Sequence, residues 1–256
     1  MNTVRAKKGL GQHFLNDENL AQKIVNSLSA ETASVLEIGP GMGMLTQFLL
    51  QRENTDLQVI EIDNESVVYL KSRFPALKDR IVAKDFLKMD LSSLFACKFS
   101  IIGNFPYNIS SQILFRVLDY KQHIPEVVGM FQKEVAVRIA SQPGKKDYGI
   151  LSVLLQAFYD IEYLFTVEAA VFNPPPKVQS AVIRLKRNAV EQLDCEEQTF
   201  KILVKTAFNQ RRKTLRNSLK TICFPEGFTQ EKIFDKRPEQ LSVAEFVYLA
   251  KQVQMP

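Results

Sequence analysis

The strongest constraint on the fold is a repeated order of short apolar segments, turns with glycine or acidic residues, and amphipathic segments. Residues 33–38 are apolar and lead into the glycine-rich turn 39–43, after which 45–50 has a helical pattern. The same order recurs over 57–74 and 99–118. Strands that alternate with helices are typical of a mostly parallel sheet covered on both faces. The sequence therefore predicts an α/β fold.

The later part of the chain departs from this order. Residues 161–167 and 180–186 are strand-like and are predicted to close the sheet as an antiparallel pair. The following segment, 188–197, is polar and acidic, and the residues after it have helical patterns. We therefore predict a sheet-containing domain over 1–188 and a small all-helical domain over 189–256.

The cysteines, the histidines and the hydropathy of the sequence argue against a metal-binding, disulfide-bonded, secreted or membrane-spanning protein. Cys97, Cys195 and Cys223 are far apart, and the two histidines are His13 and His123, so neither a zinc site nor a disulfide framework is indicated. The basic N-terminus lacks the apolar region of a secretory signal, and no apolar run reaches the length of a membrane span. We expect a cytoplasmic protein with no metal and no membrane partner.

Positive charge is concentrated in one segment. Residues 201–220 contain seven Lys or Arg and no acidic residue, whereas the whole chain has a net charge of +5. A solvated helix face usually includes acidic residues that pair with the basic ones. The segment therefore favours a polyanionic partner such as nucleic acid.

In an open α/β sheet, ligands bind beyond the carboxyl ends of the strands. The turn there contains Gly39 and Gly41, preceded by Glu37, and would let a ligand approach the backbone. Glu61 follows Gly39 by 22 residues, the spacing at which an acidic residue reaches ribose hydroxyls. Asp85, after the third strand, could accept an adenine amine or could equally cap a turn.

The most specific motif is Asn104-Phe105-Pro106-Tyr107, after the fourth strand. The Asn104 side-chain carbonyl and a main-chain carbonyl can both accept hydrogen bonds from one NH₂ group, and Tyr107 offers a flat face to a base. An aromatic amine is a poor nucleophile because its lone pair is delocalised, and two acceptors would localise that pair. The motif therefore indicates methylation of a base amine, and S-adenosylmethionine fits the remaining residues as donor.

Several longer segments carry a family resemblance. They are 11–17 (GQHFLND), 37–41 (EIGPG), 61–63 (EID), 104–110 (NFPYNIS), 131–135 (FQKEV), 174–178 (PPPKV) and 207–213 (AFNQRRK). Over nearly its whole length the sequence resembles the ribosomal RNA adenine dimethyltransferases, and specifically the small-subunit type.

The resemblance implies a Rossmann-like, seven-stranded class I methyltransferase sheet with a small helical C-terminal domain that binds rRNA. It implies dimethylation of two adjacent adenosines near the 3′ end of 16S rRNA in the small ribosomal subunit, as part of subunit biogenesis, by a monomer. S-adenosylmethionine is the implied cofactor.

The resemblance also assigns residues. The cofactor would be bound by His13, Leu15, Gly39, Gly41, Glu61, Ile62, Asp85, Phe86 and Asn104. The catalytic pocket would comprise Asn104, Phe105, Pro106, Tyr107 and Phe172, with Phe172 stacking on the flipped base unless it is a core aromatic. The predicted RNA contacts are Lys7, Lys8, Lys145, Lys146, Lys177, Arg211, Arg212, Lys213 and Arg216.

Two residues depart from the family pattern. His13 stands where the family commonly has Asn, so the charge of this side chain becomes a variable. Phe105 stands where Leu is common, which is harmless if only its main chain is used.

The alternative functions are those of a sister enzyme that acts on large-subunit rRNA, a non-catalytic RNA-binding relative and, more remotely, a dinucleotide oxidoreductase.

Overall fold

The computed structural model describes residues 4–254, apart from the side chain of Lys78. Its strands are β1 (Phe14–Leu15), β2 (Ser34–Ile38), β3 (Asp56–Ile60), β4 (Ile81–Val82), β5 (Ser100–Asn104), β6 (Glu126–Gln132), β7 (Tyr159–Val167), β8 (Phe172–Asn173) and β9 (Ser180–Arg187). Its α-helices are α1 (Glu18–Val25), α2 (Thr46–Leu49), α3 (Asn64–Arg73), α4 (Ser110–Asp119), α5 (Lys133–Ala140), α6 (Ile150–Gln156), α7 (Glu197–Asn209), α8 (Leu215–Ser218) and α9 (Val243–Lys251).

Seven strands form one sheet in the order β4-β3-β2-β5-β6-β9-β7. Strands β2 to β6 run parallel, and β9 runs antiparallel to β6. Every residue of β2 is buried, as expected for a parallel strand covered on both faces. The Rossmann-like, seven-stranded α/β fold is therefore confirmed. A second, two-stranded sheet joins β1 to β8.

Local capping explains where several helices begin. Asp17 accepts a hydrogen bond from the Leu20 amide at the start of α1, and Asp63 accepts one from the Glu65 amide at α3. Ser242 and Glu245 form a capping box at α9. In the basic segment, α7 ends at Asn209, so residues 201–220 do not form one continuous helix.

The chain divides into two compact units. The first comprises the residues up to Ala136 together with Ile161–Arg187, and the second comprises Val137–Asp160 together with the residues from Asn188 onward. Residues 137–160 group with the C-terminal part because, for example, the Gly144 amide donates to the Glu239 carbonyl at 2.7 Å. The second unit is thus discontinuous in sequence, and the roles expected for 1–188 and 189–256 stay predictions.

Within residues 4–254, the helices lack the combination of length and apolar character that crossing a membrane requires.

Candidate active site

One cavity of about 200 Å³ lies in the first unit, at the carboxyl ends of the parallel strands. Its wall contains all the predicted cofactor and catalytic residues except Phe172: His13, Leu15, Gly39, Gly41, Glu61, Ile62, Asp85, Phe86, Asn104, Phe105, Pro106 and Tyr107. Parallel strands bring their carboxyl ends to one edge, which explains why residues so distant in sequence meet here.

The two glycines of the turn after β2 have different surroundings. Both have positive φ angles, 65° at Gly39 and 56° at Gly41. A Cβ at Gly39 would meet no atom within 4 Å, whereas one at Gly41 would lie 2.8 Å from the Phe14 ring. Gly39 therefore keeps open space at the cavity wall, and Gly41 allows Phe14 to pack against the turn.

Glu61 is held by the backbone beside this turn. Its two carboxylate oxygens accept hydrogen bonds from the amides of Gly41 at 3.1 Å and Asp63 at 2.9 Å. Burial raises the pKa of Glu61, and these hydrogen bonds act in the opposite direction. The carboxylate thus has a defined orientation at the cavity wall, and its predicted ribose contact stays a prediction.

Glu37, on β2, is a second buried carboxyl group at this wall. It is 1% exposed and accepts a hydrogen bond of 2.6 Å from the Thr46 hydroxyl. Burial raises the pKa of Glu37 to about 8. In the unfolded chain this carboxyl group has its ordinary pKa of 4.5. Between pH 4.5 and about pH 8 the native state therefore binds more protons than the unfolded state does.

Protonated Glu37 stabilises the wild type at low pH, and this stabilisation is lost as pH rises. We therefore expect Glu37→Gln, which has no titrating group here, to lack this fall in stability with pH. The wild-type contribution is most favourable below the unfolded pKa and declines as pH rises to about 8, at about 1.4 kcal/mol per pH unit. The difference between variant and wild-type free energies of unfolding should grow in favour of the variant over this range. Urea titrations at several pH values would measure it, with exposed Glu53→Gln as control. A constant difference would contradict the expectation.

For Asp85 the sequence left two roles open, a turn cap and a contact with an adenine amine. It caps the 3₁₀ turn Phe86–Lys88 by accepting a hydrogen bond of 2.9 Å from the Leu87 amide, and it also lies at the cavity wall. Ile62 is 51% exposed and Phe86 is buried. Contact of Asp85 with an adenine amine stays a prediction.

Asn104 ends β5, and its side-chain NH₂ donates a hydrogen bond of 2.8 Å to the main-chain carbonyl of His13. The side-chain carbonyl oxygen therefore remains as the acceptor. The Phe105 ring is 1% exposed and contacts Phe131 edge-on at 5.1 Å. A Cβ at Gly103 or Gly129 would lie within 2.7 Å of that ring, so these glycines create the space for Phe105.

Tyr107 completes the motif as a partly exposed ring. It stacks on the imidazole of His13 with a centroid distance of 5.5 Å and an interplanar angle of 29°. Partial burial raises the pKa of the Tyr107 phenol above its usual value. The His13 ring itself bonds through Nδ1 to the Pro174 carbonyl at 2.8 Å.

Phe172 is the predicted catalytic residue that does not line the cavity. It lies on β8, pairs with Leu15 and is 2% exposed within the hydrophobic core. Stacking of Phe172 on a base would require its ring to become accessible and stays a prediction.

The sequence did not indicate how residues 7–15 are held against the cavity. Buried Asp63 accepts hydrogen bonds from Lys7 and from Gln12, the latter at 3.3 Å, and Lys7 also lies 3.0 Å from Glu65. Burial acts to raise the pKa of Asp63, but the hydrogen bonds of Lys7, Gln12 and Ser66 lower it overall. Lys7 was predicted to contact RNA and here has partners within the protein.

The other predicted RNA-binding residues differ in their partners. In the second unit, Arg211 lies 3.9 Å from Glu239 and donates to the Lys146 carbonyl, and Arg216 bonds to Asp235 at 2.7 Å. Six of the predicted RNA-binding side chains are exposed and have no hydrogen-bond or ion-pair partner within residues 4–254: Lys8, Lys145, Lys146, Lys177, Arg212 and Lys213. RNA contact stays a prediction for the whole set.

The family comparison agrees with this geometry. The model of the family described as "Ribosomal RNA adenine dimethylase" matches residues 3–254. This chain belongs to the ribosomal RNA adenine dimethylase family. The resemblance expected from the sequence motifs is thereby confirmed, and membership of this dimethylase family excludes the dinucleotide oxidoreductase alternative.

Two relatives within the dimethylase family cover the chain almost completely. A protein of Cytophaga hutchinsonii is 60% identical over 255 residues, covering 99% of both chains. One of Porphyromonas gingivalis is 60% identical over 259 residues, covering 99% of this chain and 100% of the relative. Each is named "Ribosomal RNA small subunit methyltransferase A".

Solved structures share the dimethylase fold. A dimethyladenosine transferase from Plasmodium falciparum has a TM-score of 0.76 at 24% identity, covering 93% of this chain and 96% of that one. The 23S rRNA methyltransferase ErmE has a TM-score of 0.67 at 25% identity, covering 93% and 99%. The fold is therefore shared with an enzyme named for large-subunit rRNA.

Proposed function

We propose that this chain transfers methyl groups from S-adenosylmethionine to the 6-amino groups of two adjacent adenosines near the 3′ end of 16S rRNA. Family membership supports rRNA adenine as the substrate, and the names of the 60% identical relatives support the small subunit. The observation that carries the chemistry is the hydrogen bond from the Asn104 NH₂ to the His13 carbonyl, which leaves an oriented acceptor at the cavity.

The lining of the cavity supports S-adenosylmethionine as the donor. Glu61 would accept hydrogen bonds from the ribose hydroxyls, Asp85 would accept one from the adenine amine, and the open space at Gly39 would admit the methionine part. When bound, this cofactor supplies a methyl group on a sulfonium, which is already an activated leaving group. Catalysis by the protein is then mainly positioning and electrostatics.

The acceptor side of the reaction depends on the Asn104-Phe105-Pro106-Tyr107 motif. The Asn104 side-chain carbonyl and the Phe105 main-chain carbonyl would accept hydrogen bonds from the two N–H groups of the adenine amine, which localises its lone pair toward the methyl group. Tyr107 would stack on the base. The methylated ammonium is acidic enough to lose its proton to water, so no dedicated base is needed.

Binding of the rRNA would depend on exposed cations of the second unit, notably Arg212 and Lys213. We expect Arg212→Gln and Lys213→Gln each to reduce the salt dependence of rRNA affinity, lowering the slope of log K against log salt by about 0.7–0.9. Filter binding at several salt concentrations would measure this. Lys251→Gln is the matched control, because Lys251 is paired with Asp194 at 2.6 Å. An unchanged slope for both variants would contradict the RNA contact.

Transfer of labelled methyl groups to purified, unmethylated subunits tests the proposal. We expect the small subunit to accept up to four methyl groups at two adjacent adenosines, and the large subunit to accept none. Labelling of the large subunit alone would favour the sister activity, since the ErmE fold is shared. Labelling of neither subunit by a chain that binds rRNA would favour a non-catalytic role.

A further inference from the structure

Two motifs of the sequence have no role in the reaction described above, FQKEV at 131–135 and the proline-rich segment that leads into β9. Phe131 contacts the Phe105 ring, and Ser180, the first residue of β9, pairs with Gln132 across the sheet. Because β9 runs antiparallel to β6, Ser180 lies at the carboxyl edge of the parallel strands, where the cavity is.

The Ser180 hydroxyl is 2.6 Å from the Tyr107 hydroxyl. Ser180 is fully buried, whereas Tyr107 is partly exposed at the cavity wall. A tyrosine ring turns about only two side-chain bonds. The phenol oxygen lies on the axis of the second rotation, so its hydrogen bond to Ser180 fixes the direction of the ring axis, and the His13 ring on one face limits rotation about that axis.

The position of Ser180 is itself held from two directions. Gln179, the preceding residue, accepts hydrogen bonds from the Lys133 amide at 2.9 Å and from the Lys133 ammonium at 2.8 Å. Its own side-chain NH₂ donates to Glu168 at 2.6 Å. Because Ser180 is held by these contacts of its neighbour, its hydroxyl can restrain the Tyr107 ring.

We propose that Ser180 is a positioning residue for rRNA adenine methylation, whose hydroxyl fixes the direction of the Tyr107 ring axis and so the position at which the target base stacks. This inference rests on the proposed function. The second methyl transfer to one nitrogen presents a bulkier, monomethylated amine to the same pocket, so it depends more strongly on the position of the base than the first. Loss of the hydroxyl should therefore raise the fraction of monomethylated product.

The test is a double-mutant cycle with Ser180→Ala, Tyr107→Phe and the double variant, assayed on small subunits beside the wild type. We expect each single variant to lower kcat/KM for rRNA by about three- to tenfold, to raise the ratio of mono- to dimethyladenosine, and to leave the dissociation constant of S-adenosylmethionine unchanged. The double variant should be no worse than Tyr107→Phe, because Ser180 would act through the phenol hydroxyl.

Ser100→Ala is the matched control, since Ser100 is also a buried first residue of a strand but lies at the opposite edge of the sheet. It should leave kcat/KM and the product ratio unchanged. The proposal is wrong if Ser180→Ala behaves like Ser100→Ala, or if the effects of Ser180→Ala and Tyr107→Phe multiply. Loss of donor affinity or thermal stability in Ser180→Ala would overturn it equally, by showing a general structural role. Absence of methylation by the wild type would instead refute the proposed function.

Discussion

Asn104→Ala is expected to lower kcat for rRNA methylation by about a hundredfold or more, while S-adenosylmethionine still binds within about tenfold of its wild-type affinity. The reason is that alanine removes the side-chain carbonyl proposed to accept a hydrogen bond from the target amine. The proposed donor contacts at Gly39, Glu61 and Asp85 follow other strands and would remain. Single-turnover methylation of small subunits and calorimetric titration with the donor would measure the two quantities separately.

The control for this prediction is Asn64→Ala, which makes the same chemical change at an exposed position of α3 away from the cavity wall. It should leave both quantities at wild-type values. Wild-type turnover by Asn104→Ala would refute the assigned role. A parallel loss of donor affinity would mean that the Asn104–His13 hydrogen bond mainly shapes the donor pocket.

Gly129→Ala is expected to lower the free energy of unfolding by about 2–3 kcal/mol. A Cβ at this position on β6 would lie 2.4 Å from the Phe105 ring and 2.6 Å from the Phe131 ring, both of which are fully buried. Neither ring can move without displacing the close-packed core around it. Because the Phe105 main-chain carbonyl is the proposed second acceptor, methylation should fall together with stability.

Urea titration would measure this change, and the combination of Gly129→Ala with Phe105→Leu provides an internal check. Leucine removes the ring that is closest to the new methyl group, so part of the lost stability should return. Gly9→Ala is the control, since a Cβ there would meet no atom within 4 Å. Wild-type stability in Gly129→Ala, or no recovery in the combination, would contradict this explanation.

Sequence-based prediction succeeded where structure depends on neighbouring residues. The buried strands β2 and β5 follow from short apolar runs, and the acidic and glycine residues after them follow from turn chemistry. Since parallel strands share one carboxyl edge, the shared location of Gly39, Glu61 and Asn104 could also be predicted. The resemblance then led to the dimethylase family, which the comparison confirmed.

Prediction did not extend to contacts between distant segments. The Lys7–Asp63 interaction joins residues 56 apart, and the Asn104–His13 hydrogen bond joins residues 91 apart. Burial of Phe172 in the core likewise depends on the pairing of β8 with β1. No local pattern specifies such partners, because the same side chains would be equally favourable in solvent or beside other neighbours.

The sequence by itself determined the α/β class, the strands of the seven-stranded sheet and the identity of the residues at the carboxyl ends of its parallel strands, because hydrophobic periodicity and turn preferences are local properties. Only the tertiary structure decided which oxygen of the cavity is available, by directing the Asn104 amide toward the His13 carbonyl. It also decided which arginines are paired, as Arg216 is with Asp235. Hydrogen bonds and ion pairs of this kind require groups from different segments to meet at defined distances, which only the packed fold provides.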